Sequence, residues 1–257
     1  MKGIRYTSDF LMINCCQLMK ITFNTVTALI AVNVLVFYAS TSIGSLTEVL
    51  ALYFPQNKNF GIWQFVTHMF MHGGLTHLLF NMFALWMFGT QLESIWGGKR
   101  FLIFYFACGI GAALIYTAVN YYQFNSVYAV LSETGLSSFD IQSMIDEGVY
   151  PSNILTEEQA TQLIGTFNRP MVGASGAIYG ILVAFAFNFP NNKLILLFLP
   201  YPIAAKYFVP ALISLDLFSG VTGFSIFGGG VAHFAHVGGA IIGFLMMIYW
   251  RKKLSST

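Results

Sequence analysis

Five histidines and one serine lie in this sequence where a polar side chain has least reason to be. His68, His72 and His77 fall just before or within one apolar run, and His233 and His236 open another. Between them Gly173-Ala174-Ser175-Gly176 opens a third. A serine hydroxyl is a weak nucleophile until a base takes its proton, and imidazole can do so near neutral pH. Ser175 and His236 are therefore a candidate nucleophile and base. Tyr179 follows Ser175 by four residues, so on a helix it shares the serine's face and can pack against the imidazole. His77 and Asn81 have the same spacing, and both carry N–H donors suited to a developing oxyanion. No carboxylate is placed by spacing to complete a triad. Asp216, near the outer end of its apolar run, reads as a helix-end or loop partner.

The elements that hold these residues are set by composition. The 257 residues are 56% hydrophobic and 9% charged, with mean hydropathy +0.69. A soluble domain is about 25% charged, so there is too little polar surface to cover a water-soluble globule. The apolar runs are continuous rather than alternating, which excludes an outer-membrane barrel and leaves an all-α helical bundle. Six runs read as spanning helices, at 21–39, 74–90, 101–120, 175–189, 201–217 and 232–250. The connections are 40–73, 91–100, 121–174, 190–200 and 218–231. Residues 1–20 form a short N-terminal segment, 21–250 one polytopic membrane domain with an extended loop at 121–174, and 251–257 a tail. No internal repeat is present, and no run has the form of a cleavable signal peptide.

Charge gives an orientation. With the N-terminus in the cytoplasm, Lys2, Arg5, Lys20, Lys99, Arg100, Lys193, Lys206, Arg251, Lys252 and Lys253 are cytoplasmic, and only Lys58 and Arg169 lie outside. This positive-inside bias selects N-in and C-in. Glu133, Asp140, Asp146, Glu147, Glu157 and Glu158 then cluster in the outer 121–174 connection as a solvated surface. Thr156-Glu157-Glu158-Gln159 has the form of a helix cap there. Cys15, Cys16 and Cys108 make no disulfide framework.

A helix from Ser175 that stops before Pro190 would be roughly 22 Å long at 1.5 Å per residue, short against a hydrocarbon core of about 30 Å. Its start would lie below the outer surface, with unpaired N–H groups facing a polar cavity. Gly176 and Gly180 on this helix, and Gly239 and Gly243 on the last, have the spacing that lets membrane helices approach closely. Such a contact would set Ser175 beside His236. In the 218–231 connection, Gly220, Gly223, Gly228, Gly229 and Gly230 suggest mobility, making that loop and the fifth run candidates for a gate.

Three stretches together resemble the rhomboid family of intramembrane serine proteases: His68-Met-Phe-Met-His72-Gly-Gly-Leu-Thr-His77-Leu-Leu-Phe-Asn81, Gly173-Ala-Ser175-Gly176-Ala-Ile-Tyr179-Gly180, and Ala235-His236-Val-Gly-Gly239-Ala-Ile-Ile-Gly243. Their order matches the family's second, fourth and sixth core helices, and the layout its basic six-span bacterial form. The resemblance implies that Ser175 is the nucleophile and His236 the base, working as a dyad through an acyl-enzyme. Tyr179 would stack on His236. His77, Asn81 and the Ser175 N–H would form the oxyanion hole, with His72, Gly173, Gly176 and Gly239 in support. Glu93 would be a structural carboxylate at the cytoplasmic end of the second span. Substrates would be transmembrane segments of membrane proteins, cut near the outer face of a bacterial inner membrane. No cofactor, metal or nucleic acid is implied. The family usually carries a Trp-Arg pair in its first external loop, where this chain has Trp63-Gln64.

Three other readings compete. Histidines four apart, such as His68 and His72, could hold a haem or a metal ion. A non-catalytic relative could bind transmembrane helices without cutting them. A transporter would be expected to carry an internal repeat.

Overall fold

The computed structural model describes residues 24–196, 199–224 and 232–255. Residues 1–20, Cys15 and Cys16 among them, and Gly228, Gly229 and Gly230 of the gate candidate lie outside the described residues. The architecture is an all-α bundle with one small hairpin.

The first helix, α1 (Thr25–Ser42), is closed at its start from two directions. Asn24 Oδ1 accepts from the Thr27 N–H at 2.8 Å. Glu93 reaches across from a later helix and accepts from Thr25 N at 2.8 Å and Val26 N at 3.0 Å. Helix N-termini have unpaired donors and a positive dipole end, so a carboxylate there is satisfied and stabilising. Two short helices follow in the first loop, α2 (Ser45–Leu50) and α3 (Gln64–Thr67), the second running into a 3-10 turn at His68–Phe70. The second apolar run is a continuous helical rod: α4 (Leu75–Ala84), a π turn at Leu85–Gly89, then α5 (Thr90–Trp96). It outruns the expected end at 90. A single π turn resets helical phase below it by about 100°, in the half of the rod that delivers Glu93 to α1.

The largest departure from expectation is α6 (Gly98–Glu133), which continues well past 120. Its C-terminal part buries Phe124, Val127 and Leu131. They meet α7 (Ser138–Glu147) and α8 (Glu157–Asn168), each opened by a capping box, at Ser137/Asp140 and Thr156/Gln159. Ile141, Ile145, Leu163 and Phe167 from these helices, with Phe54 of the first loop, complete a separate apolar core. Stretch 121–174 is thus a small helical layer rather than a loop, with its acidic residues exposed as expected.

The helix α9 (Ser175–Asn188) has 14 residues and begins at Ser175 as the sequence implied. Strands β1 (Lys193–Leu196) and β2 (Leu199–Ala204) then pair antiparallel, with Lys193 opposite Ala204 and Leu194 opposite Ile203. The apolar run expected to span from 201 is therefore strand up to 204. A two-stranded hairpin has only edges, which is where Pro200 and Pro202 can be accommodated. The helix α10 (Ala205–Thr222) follows, and α11 (His233–Ser255) closes the bundle. By length and composition, Thr25–Ser42, Gly98–Glu133 and His233–Lys252 are long and apolar enough to cross a membrane, and α9 is a shorter apolar helix.

The centre of the bundle is α9 between α6 and α11, and small residues permit it. A Cβ on Gly239 would stand 1.8 Å from the Gly176 carbonyl oxygen, and one on Gly243 2.7 Å from Gly180 Cα. On the other side, a Cβ on Gly176 would be 2.6 Å from Ala112 Cβ. Helices α9 and α11 thus touch backbone to backbone over two turns.

Candidate active site

Ser175 is the first residue of α9, so its N–H belongs to the helix-terminal set with no intrahelical partner. The segment that delivers it is held by the first loop. Leu52 and Met171 exchange backbone bonds at 3.0 and 2.8 Å, and Gly173 N donates to His68 O at 2.9 Å. Gly173 has φ +122°, which L side chains rarely adopt. A Cβ there would also lie 2.8 Å from His77 Cε1 and Nε2 and 3.7 Å from Ser175 Oγ. The His77 ring, Gly173 and the Ser175 hydroxyl therefore converge on one spot.

From the opposite side, α11 presents His236. Its Nε2 lies 2.9 Å from Ser175 Oγ. Tyr179 stacks on the imidazole, with ring centroids 4.2 Å apart and planes within 11°. Both contacts follow from the glycine seam, because Ser175 adjoins Gly176 and His236 lies one turn before Gly239.

One residue corrects the sequence reading. Asp216 of α10 is 2% exposed and sits against the site rather than beyond it. Its Oδ1 is 3.1 Å from His236 Nδ1 and 2.6 Å from His233 Nδ1. The Tyr179 hydroxyl donates to its other oxygen. His233 is thus bound to the same carboxylate. The sequence signal was an acidic residue inside an apolar run, which membrane burial makes costly without partners.

The remaining site residues occupy α4 and the turn before it. Asn81 is 6% exposed, and its Nδ2 donates to His77 O at 3.1 Å, leaving its second N–H for another acceptor. His77 Nδ1 accepts a long bond from Gly73 N at 3.4 Å. His72 is buried with its ring edge-on to His77, centroids 5.0 Å apart. Gln64 is fully buried and ties the first loop together. Its Oε1 accepts from Tyr53 N at 3.2 Å, and its Nε2 donates to Glu48 O, Val49 O and Asn59 O at 3.3, 3.2 and 2.8 Å.

His68 gives a pH prediction. Burial lowers its pKa from 6.5 to about 4, opposed only in part by its bond to the Gln64 carbonyl at 2.8 Å. The unfolded chain takes up this proton near 6.5 and the folded chain near 4. Stability from the neutral ring is therefore complete above 6.5 and lost as pH falls toward 4. Acidification from pH 7 to pH 4.5 should remove about 2–3 kcal/mol through this group. Thermal melts in detergent at the two pH values, parent beside His68→Gln, check this: the variant should lose less on acidification.

Among the described residues, the one group of three side chains with metal-ligand chemistry is Asp216, His233 and His236, whose ligand atoms lie within 4.8 Å of one another. His68 and His72 are not part of it.

A serine bonded to an imidazole, at the end of a short helix in an apolar helical bundle, defines a membrane protein with a hydrolase-type site. Residues 59–253 match the family model described as the Rhomboid domain, and the chain belongs to the rhomboid family. It is similar to Rhomboid protease AarA of Providencia stuartii, 30% identical over 199 residues, covering 72% of this chain and 55% of that protein. It is also similar to the mitochondrial presenilin-associated rhomboid-like protein of Homo sapiens, 28% identical over 233 residues, covering 90% of this chain and 49% of the relative. Rhomboid protein 1, mitochondrial, of Saccharomyces cerevisiae is 26% identical over 185 residues, covering 72% of this chain and 41% of the relative. The chain spans about half the length of these relatives.

Proposed function

We propose that this chain is an intramembrane serine endopeptidase that cleaves transmembrane segments of membrane proteins through a Ser175–His236 dyad. The observation that carries the reading is the 2.9 Å contact between Ser175 Oγ and His236 Nε2, with Tyr179 stacked on the ring. Membership of a family that includes a rhomboid protease supports the reaction class.

In this mechanism a substrate helix enters from the bilayer and unwinds near the outer face. Ser175 Oγ adds to a peptide carbonyl while His236 Nε2 takes its proton. The oxyanion is held by the Ser175 N–H, the second Asn81 N–H and His77 Nε2. Collapse expels the amine, which leaves with the proton from His236. Water, deprotonated by the same imidazole, then adds to the acyl-enzyme and releases Ser175. Residues 21–250 act as one protease domain of six spans. Both ends, 1–20 and 251–257, lie in the cytoplasm of a bacterial inner-membrane topology, as the charge bias suggests. The second helical rod, α9 and α10 supply the three spans beyond the long apolar helices.

The test uses purified protein in liposomes with a single-span substrate and a fluorophosphonate probe, beside Ser175→Ala and His236→Ala. Cleavage and labelling at Ser175 by the parent alone are expected. A folded parent that neither cleaves nor labels would remove the protease reading and favour a helix-binding role.

A further inference from the structure

The carboxylate of Asp216 has no part in a two-residue mechanism, yet it is bonded by three side chains of the site, Tyr179, His233 and His236. We propose that Asp216 is a positioning residue that fixes the tautomer and the plane of His236, so that the site operates as a Ser175–His236–Asp216 triad assembled from three helices. The proposal rests on the protease reading above.

The chemistry follows from the donor inventory. An ionised carboxylate only accepts hydrogen bonds, so the nitrogen facing it must carry a proton. Asp216 Oδ1 lies 3.1 Å from His236 Nδ1. The neutral ring then has its proton on Nδ1 and its lone pair on Nε2, the atom 2.9 Å from Ser175 Oγ. The other tautomer would put a proton on Nε2 and leave nothing to receive the serine's. When Nε2 takes that proton the ring becomes a cation, and the carboxylate lies on its far side to stabilise it.

The carboxylate is itself immobilised. His233 Nδ1 meets the same Oδ1 at 2.6 Å, and the Tyr179 hydroxyl donates to Oδ2. His233 and His236 are three residues apart, hence on one face of α11. Tyr179 therefore constrains the imidazole twice, by stacking on its face and by holding the carboxylate that holds its edge. Asp216 is itself 2% exposed, so solvent competes little for its carboxylate oxygens.

The experiment takes full-length protein in liposomes and compares parent, Asp216→Asn, Asp216→Ala and Asp216→Glu for kcat, KM and the rate of fluorophosphonate labelling, with thermal melts as the fold control. A positioning role predicts that kcat and labelling rate fall together, about 100-fold or more in both Asp216→Asn, whose amide can hold the wrong tautomer, and Asp216→Ala. KM should stay within about twofold, and Asp216→Glu should recover part of the loss. A folded Asp216→Ala with parental kcat and labelling rate would overturn it. Parent protein labelled with nitrogen-15 histidine gives a readout that needs no variant to fold. His236 should show a protonated Nδ1 and an unprotonated Nε2, and the reverse would overturn the proposal. Failure of the parent to label removes the protease reading and this role together, whereas equal labelling of parent and a folded Asp216→Ala removes this role alone.

Discussion

Gly239→Ala should lose at least about 100-fold in cleavage rate although it adds one methyl group and touches neither Ser175 nor His236. The reason is where the methyl must go. A Cβ on Gly239 falls 1.8 Å from the Gly176 carbonyl oxygen. An ordinary carbon–oxygen contact needs about 3.3 Å, so α11 must withdraw from α9 by roughly 1.5 Å. Backbone stands on both sides, so no flexible side chain can yield instead. His236 lies one turn before Gly239 and travels with it, opening the 2.9 Å contact to Ser175 beyond hydrogen-bond range. Misplacement by about 1 Å can lower a rate 100-fold. Overpacking should also destabilise the bundle by about 1–3 kcal/mol. Steady-state cleavage and thermal melts of Gly239→Ala and Gly111→Ala separate the two effects. The Cβ at 111 meets the Ile242 side chain at 2.5 Å, which can partly yield, so that variant should lose stability with far less activity.

Gln64→Leu should lower stability by about 3 kcal/mol or more, although leucine fills nearly the same space. The substitution leaves the buried Tyr53 N–H without its acceptor and the half-buried Asn59 carbonyl without its donor, around a side chain that is itself fully buried. A buried unpaired group costs about 1–3 kcal/mol. The Val49 carbonyl fares better, since it also accepts from Trp63 Nε1 at 2.8 Å. Loosening of this loop reaches the site, because Gln64 O holds His68 and His68 O holds Gly173 N. Thermal melts beside Gln64→Glu give the check. The glutamate keeps the acceptor for Tyr53 but sets a charge against three carbonyls, so it too should be destabilised. A leucine variant as stable as the parent would show that the loop is held by other contacts.

What the sequence made legible was whatever obeys helical spacing. Ser175 with Tyr179, His77 with Asn81, and the paired glycines each announce a face, and those faces meet in the fold. Asp216 could not be placed this way. It lies on α10, and its contact with His236 depends on how α10 leans on α11, which no spacing within one helix encodes. Residues 121–133 hid for another reason. Phe124, Val127 and Leu131 carry a helical stripe, but Tyr121, Tyr122, Gln123 and Asn125 end the uniform apolarity by which a span is recognised. The hairpin before α10 was masked by its own apolarity, since a strand rich in leucine, isoleucine and tyrosine has the hydropathy of a membrane run. Proline at 200 and 202 was the available warning. Gln64 was read as the loss of an arginine, whereas its amide both donates and accepts within a turn that has no room for a charge.

The three helices of the site are not equally constrained. Helices α9 and α11 are seated backbone on backbone, while α10 buries only Ala205, Val209, Asp216 and Ser219. The nucleophile and base therefore share a fixed frame, and the carboxylate rides on the looser member. Any approach to Ser175 that pushes α10 aside also draws Asp216 off the imidazole. The molecule would then behave as an interlock: disarmed while its side door stands open, and armed only once the door has shut behind the chain it admitted.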